Sequence, residues 1–195
     1  DLTVATDGTI DFSATGGTFD LGTNAAWSPG DRWNALILEA GAGASQTAGE
    51  PAIAAQQLVL LGAGNFDLGN VNNDLRYSPI VENTPRGAYG LEGDLVARVD
   101  GTIRFRDDSG FAVWSTNGVF GLQGSGVGGA GLTEVTLITG NGPVFQAGDT
   151  PIIADGLELI GSGGSFWLHT APNDVGPTTF AANNPGGTVL FADPT

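Results

Sequence analysis

Apolar residues in this chain come in short alternating runs. Leu2 and Val4, Ile10 and Phe12, and Phe19 and Leu21 each alternate with small or polar neighbours. A half-buried strand has this signature, because its successive side chains face opposite sides. The runs end at Asp7-Gly8, Gly16-Gly17, Thr23-Asn24 and Ser28-Pro29-Gly30. There glycine supplies positive φ, and Asn, Asp or Ser bonds its own backbone. The rhythm continues through Leu36 to Leu38, Ile53, Leu58 to Leu61 and Phe66 to Leu68. The nearest helix candidate, Ala52 to Leu61 after Pro51, reads instead as Ile53, a turn, and a strand at Leu58 and Leu60. The pattern predicts an all-β chain.

The pattern also repeats. At a shift of 100, Gln46 falls on Gln146, Pro51 on Pro151, Ile53 on Ile153 and Ala54 on Ala154. A one-residue slip carries Leu58 to Leu157 and Leu60 to Leu159, after which Phe66, Leu68 and Asn73-Asp74 meet Phe166, Leu168 and Asn173-Asp174. The opening of the chain, Asp1-Leu2 through Phe12, recurs at a shift of 93 as Asp94-Leu95 through Phe105, and the Gly-rich run Gly121 to Gly131 accounts for the growth of the shift. A third opening stands at Gly187-Thr188-Val189-Leu190-Phe191. The chain therefore divides into one repeat at about 1–93, a second at about 94–186 and the start of a third at 187–195, within one domain at 1–195. Self-similarity of this kind marks a supersecondary unit stacked on copies of itself.

Short strands separated by turns also suit an antiparallel sandwich. Two-residue hairpin signals of the Asn-Gly type between alternating runs are few, with Asn117-Gly118 and Asn141-Gly142 the only candidates. A coiled parallel β-helix, or β-solenoid, explains the long internal repeat better. About nine coils of roughly 20 residues, stacked ~4.8 Å apart, give a rod on the order of 40 Å long. Leu58, Leu60, Phe66 and Leu68, with Leu157, Leu159, Phe166 and Leu168, are its expected inward stacks.

The second copy carries a family resemblance. Leu137-Ile138-Thr139-Gly140, Phe145-Gln146, Pro151 to Ala154, Leu157-Glu158-Leu159, Gly163-Gly164, Phe166-Trp167-Leu168 and Asn173-Asp174-Val175 resemble the repeats of filamentous-haemagglutinin-like proteins, large exoproteins of bacterial two-partner secretion. The resemblance implies a right-handed parallel β-helix displayed outside the cell. It covers the shaft pattern in both copies; the Asn-Pro-Asn-Gly signature of the family's secretion module is not in these residues.

Composition narrows the partners. The chain holds 33 Gly, no Cys, and 21 acidic residues against 6 basic ones, the basic ones all Arg. A net charge of −15 argues against binding nucleic acid or anionic lipid, which needs clustered basic side chains. No apolar run approaches the ~20 residues of a membrane helix. The absence of Cys leaves the fold to packing and hydrogen bonding.

Candidate chemistry is sparse. Asp107-Asp108 before Ser109-Gly110 is the densest acidic cluster, with Asp7, Asp11 and Asp20 recurring in the first copy. Clustered Asp and turn carbonyls are what a Ca²⁺ ion takes as ligands; the competing reading is a solvated turn. Paired carboxylates also hydrolyse glycosidic bonds, but no pair stands out by spacing. His169 has no second His for a metal site, and Gly121 to Gly131 lacks the Lys of a phosphate loop and reads as an excursion from the coil. Among Trp27, Trp33, Trp114, Trp167, Tyr77 and Tyr89, Trp167 lies between inward Phe166 and Leu168. It is expected to point outward, under a loop or at a subunit contact.

The expectation is a non-catalytic, extracellular structural protein: an adhesin-like β-helix shaft or surface fibre on a bacterial cell, with no cofactor apart from the calcium weighed above. Its partners are itself end to end or further repeats of a longer chain, with host or cell-surface glycans as targets. The alternatives are a filament or sheath subunit stacking end to end, and a β-helix that binds or cleaves polysaccharide.

Overall fold

In this computed structural model the described residues are 33–46, 52–76, 92–116, 118–126, 131–176 and 180–194, with the backbone of strands Thr9–Ala14 and Phe19–Asp20. Trp27, Tyr77, Tyr89, Asp7 and the side chains of Asp11 and Asp20 lie outside them. Among the described residues there is no helix. Fourteen strands join one sheet, and every strand pairing in it is parallel. Short alternating runs that cannot turn back on themselves bury their apolar side by winding, and the sheet nearly closes. The arrangement is compatible with a parallel β-helix.

Three ladders of paired residues form the walls. The first runs Phe12, Leu38, Leu60, Ala97, Leu122, Ile152. The second runs Phe19, Ala44, Phe66, Ile103, Val135, Leu157, Phe180. The third starts at Trp33, Ala55 and Leu75. It passes through Gly93, whose N–H bonds Leu75 O and whose carbonyl accepts from Ala112 N, and continues from the strand Phe111–Val113 to Val144–Gln146, Phe166–Leu168 and Val189–Phe191.

The expected inward residues Leu58, Leu60, Phe66, Leu68, Leu157, Leu159, Phe166 and Leu168 are all fully buried in one core cluster. Each such side chain contributes about 1.5–3 kcal/mol by leaving water. Phe105 and Phe111 meet edge to face inside, ring centres 5.0 Å apart. Trp33, grouped by sequence with the surface aromatics, belongs to this core instead.

Counterparts in the two copies do not share a wall. Leu60 lies on the first ladder and Leu159 in the strand of the second; Phe66 lies on the second and Phe166 on the third; Leu75 lies on the third, while Val175 pairs with Ala154 in the continuation of the first. The second copy is displaced by one wall around the coil. The stretch between counterparts therefore closes a non-integral number of turns.

The strand Gln57–Leu68 serves two walls, and its whole length pairs in register with Asp94–Arg106, from Gln57 with Asp94 to Leu68 with Phe105. It bends at Gly62 and Gly64, with φ of 108° and 92°. A Cβ on Gly64 would lie 2.1 Å from the carbonyl carbon of Ala42 in the coil beneath. Ser115–Thr116 pairs antiparallel with Val119–Phe120, on either side of the Asn117-Gly118 hairpin signal, of which Asn117 lies outside the described residues. This hairpin folds over the outer face, where Val119 joins Val59 and Val96 in a second apolar cluster flanked by Ile37 and Leu61.

Gly126 also has positive φ, 72°, but a Cβ there meets nothing within 4 Å. Gly126→Ala should cost only the left-handed penalty of about 1 kcal/mol, whereas Gly64→Ala adds a backbone clash and should cost at least about twice that. Urea unfolding of the two variants measures the difference.

Candidate functional site

Polar side chains are concentrated at the corner where the Phe66 or Phe166 strand turns into the short strand that follows it, Asp74–Leu75 or Asp174–Val175. Four of them lie inside the coil: Gln46, Asn73, Gln146 and Asn173 are all buried. Asn73 Oδ1 accepts from Gln46 Nε2 at 2.9 Å and from the Ile53 amide at 2.8 Å. Its Nδ2 donates to Gln46 Oε1 and to Leu68 O, both at 3.0 Å. Asn173 repeats the set, accepting from Gln146 Nε2 and from the Ile152 amide at 2.9 Å and donating to Leu168 O at 2.8 Å and Ala192 O at 3.0 Å. Thr150, also buried, closes the second corner by donating to carbonyls of Val113 and Ala147. An amide is suited to this place because it offers two donors and an acceptor without charge.

Asp107 continues the same corner. It is fully buried, at 0% exposure. Its Oδ2 accepts from the Leu75 amide at 2.6 Å, and its Oδ1 accepts from the Ser109 amide at 2.9 Å and lies 2.6 Å from the Ser109 hydroxyl oxygen. In the next copy Asp193 Oδ2 accepts from the Val175 amide at 3.0 Å. Gly101-Thr102-Ile103-Arg104-Phe105-Arg106-Asp107 and Gly187-Thr188-Val189-Leu190-Phe191-Ala192-Asp193 are thus matched in role as well as in sequence. Burial pushes the Asp107 carboxyl up to about 7, against the opposing pull of the Ser109 and Leu75 donors and with Asp74 nearby raising it further.

This geometry bears on the calcium candidates Asp107 and Asp108. Asp107 faces two backbone amide hydrogens, of Leu75 and Ser109, which a cation at the same oxygens would oppose. Asp108 forks to Arg106 at 2.8 and 3.0 Å. Among the described residues no three acidic, His or Cys side chains gather where an ion would sit.

Trp167 points outward, as the alternation requires, and is 36% exposed. It stands in an outer row of the third wall, in register with Ala112 and Phe145 on one side and Leu190 on the other. Its ring tilts against Phe145 at 4.8 Å between centres. His169 is an exposed residue just beyond this row. The Gly-rich run Gly121 to Gly131 is not wholly an excursion from the coil: Leu122–Gln123 is a strand of the first wall with Leu122 in the core, and residues 127–130 lie outside the described residues. Beyond that strand Asp100 accepts from the Ser125 amide at 2.9 Å and from its hydroxyl, and these bonds hold the Asp100 carboxyl below its ordinary range. A shallow cleft of about 370 Å³ lies beside it, lined by Gln123, Leu132, Ile153, Asp155 and Asp174 among others.

Sequence reading took Asn73-Asp74 and Asn173-Asp174 only as matching positions of the repeat and missed that the Asn enters the core. The signal was present: Gln46 and Asn73 are separated by 27 residues, and so are Gln146 and Asn173. A polar pair kept at one spacing in both copies is a pair in contact.

Asn173→Leu keeps the volume but removes the side-chain partner of the Ile152 amide and of the Ala192 carbonyl, while the Leu168 carbonyl keeps the Ala192 amide. At about 1–3 kcal/mol for each buried orphan, the loss should be on the order of 3–5 kcal/mol. Asn72→Ala, at an exposed position, should stay within about 0.5 kcal/mol, and equilibrium urea denaturation of both variants checks the contrast. Comparison of the chain with family models, curated proteins and solved structures finds no match.

Proposed function

We propose that the chain is a length of right-handed parallel β-helix, built from repeats at 1–93 and 94–186 and the opening of a third at 187–195, and that it works as a non-catalytic structural shaft. The reading includes the resemblance to filamentous-haemagglutinin-like exoproteins: an adhesin-like shaft or surface fibre outside a bacterial cell, presenting its outer walls to cell-surface glycans. One observation carries it. The strand Asp94–Arg106 is covered by a following coil, through Leu122–Gln123 and Leu132–Thr139, while among the described residues the strands Phe180–Asn183 and Val189–Phe191 pair on one side only. Phe180 and Leu190 there are each 45% exposed, and Phe180 stacks on Phe191 at 4.7 Å across the open end of the core. Such an end suits the addition of another coil of the same pattern.

The same end favours a second reading, a filament or sheath subunit whose neighbour supplies that coil. A head-to-tail contact of this kind propagates without closing. The two readings separate in negative-stain microscopy of the purified chain at neutral pH, with and without calcium. Discrete short rods are expected for a shaft segment, and long fibres of uniform width for a filament subunit. Round particles with no long axis would overturn both.

A further inference from the structure

The corner around Asp107 carries a proton count that does not close with all acids ionised. Ser109 Oγ lies 2.6 Å from Asp107 Oδ1 and 3.2 Å from Asp74 Oδ1. A serine hydroxyl has one hydrogen, so it donates to only one of these two carboxyls. With a proton on Asp107 Oδ1, that proton goes to Ser109 Oγ, whose own hydrogen goes to Asp74. Both contacts are then hydrogen bonds. With both acids ionised, one contact sets oxygen lone pairs against each other inside a core wall.

We propose that Asp74, Ser109 and Asp107 form a proton-holding latch between successive coils, closed while one proton is shared among them and loosened when it leaves. The coil beneath contributes Asp74 and the Leu75 amide; the coil above contributes Asp107 and Ser109. Arg76 Nε stands 3.6 Å from Asp74 on its more exposed side and offsets the charge of that acid, with its backbone bridged to Glu92; it serves Asp74 and not the buried Asp107. Arg106 turns away to Asp108. Glu134 on the covering strand stands opposite Thr102, not opposite Asp107. The full burial of Asp107 explains why the proton stays through mildly acidic pH.

The direction of the pH dependence follows from the carboxyl being raised on folding, from 3.8 to about 7. The stabilisation is fully present below pH 3.8 and is lost as pH rises through about 7. Between pH 6 and 8 the folding constant should fall roughly tenfold through this group alone.

The test uses the full chain in a His169→Gln background, which removes the only histidine. Urea unfolding from pH 5.5 to 8.5 should show a falling midpoint for this protein and a flat one for Asp107→Asn. Carbon-13 titration of the Asp side-chain carboxyls in the same parent, with no change at Asp107, should show one resonance with its midpoint near neutrality. The carbon-13 arm decides the matter even where Asp107→Asn fails to fold. All Asp resonances titrating below pH 5, or equal pH slopes in the parent and a folded Asp107→Asn, would overturn the proposal.

Discussion

The structure depends on satisfying backbone amides at the corners of the coil. Along the walls, each strand's N–H groups meet carbonyls of the next coil. Where a wall shrinks to two residues, as in Ala54–Ala55, Asp74–Leu75 and Asp174–Val175, the ladder is too short to do this, although Leu75 and Val175 are buried. Buried amides left without a partner are costly. Side chains from the neighbouring coil complete the set: Asn73 and Asn173 take the amides that enter the short strands at Ile53 and Ile152, and Asp107 and Asp193 take the amides inside them at Leu75 and Val175. Each coil thereby fixes the height and rotation of the one beneath it.

Among the described residues the largest strand contacts run between partners in the parallel ladders, the arrangement in which stability becomes a sum of local and nearest-neighbour terms. This arrangement also explains how the second copy can be displaced by one wall without disturbing the core. The inward residues are Leu, Phe, Val, Ile and Ala on all three walls, and any of them stacks on any other at the spacing of parallel strands. The corners are more selective, because each needs a polar group with its donors and acceptors in matched positions. The paired amides Gln46–Asn73 and Gln146–Asn173 recur as a unit for that reason.

Much of this was legible in the sequence. The period-2 alternation at Leu58, Leu60, Phe66 and Leu68 identified buried residues directly, and the same alternation placed Trp167 on the outside. The internal repeat pointed to stacked parallel strands over a sandwich. Three features were not legible, each for a physical reason. Sequence repetition shows which residues are equivalent but not how many walls lie between them, so the displacement of the copies stayed hidden. Asn73 and Asp107 are residue types that usually stay in water, and only their amide partners, distant in sequence, reveal why they are inside. Trp33 and the hairpin at Ser115–Phe120 owe their burial to tertiary neighbours, Trp33 to the core of the coil and Val119 to Val59 and Val96. Local pattern does not register such neighbours.

The most direct test of the corner account is native-state amide hydrogen exchange at Ile53, Leu75, Ile152 and Val175. These four amides donate to side chains of an adjoining coil. The account predicts protection comparable to the central wall amides of Gln57–Leu68 and Asp94–Arg106, released only when whole coils separate. Exchange at these four positions as fast as at the exposed turn residues Val71 and Asn72, with the walls still protected, would contradict it.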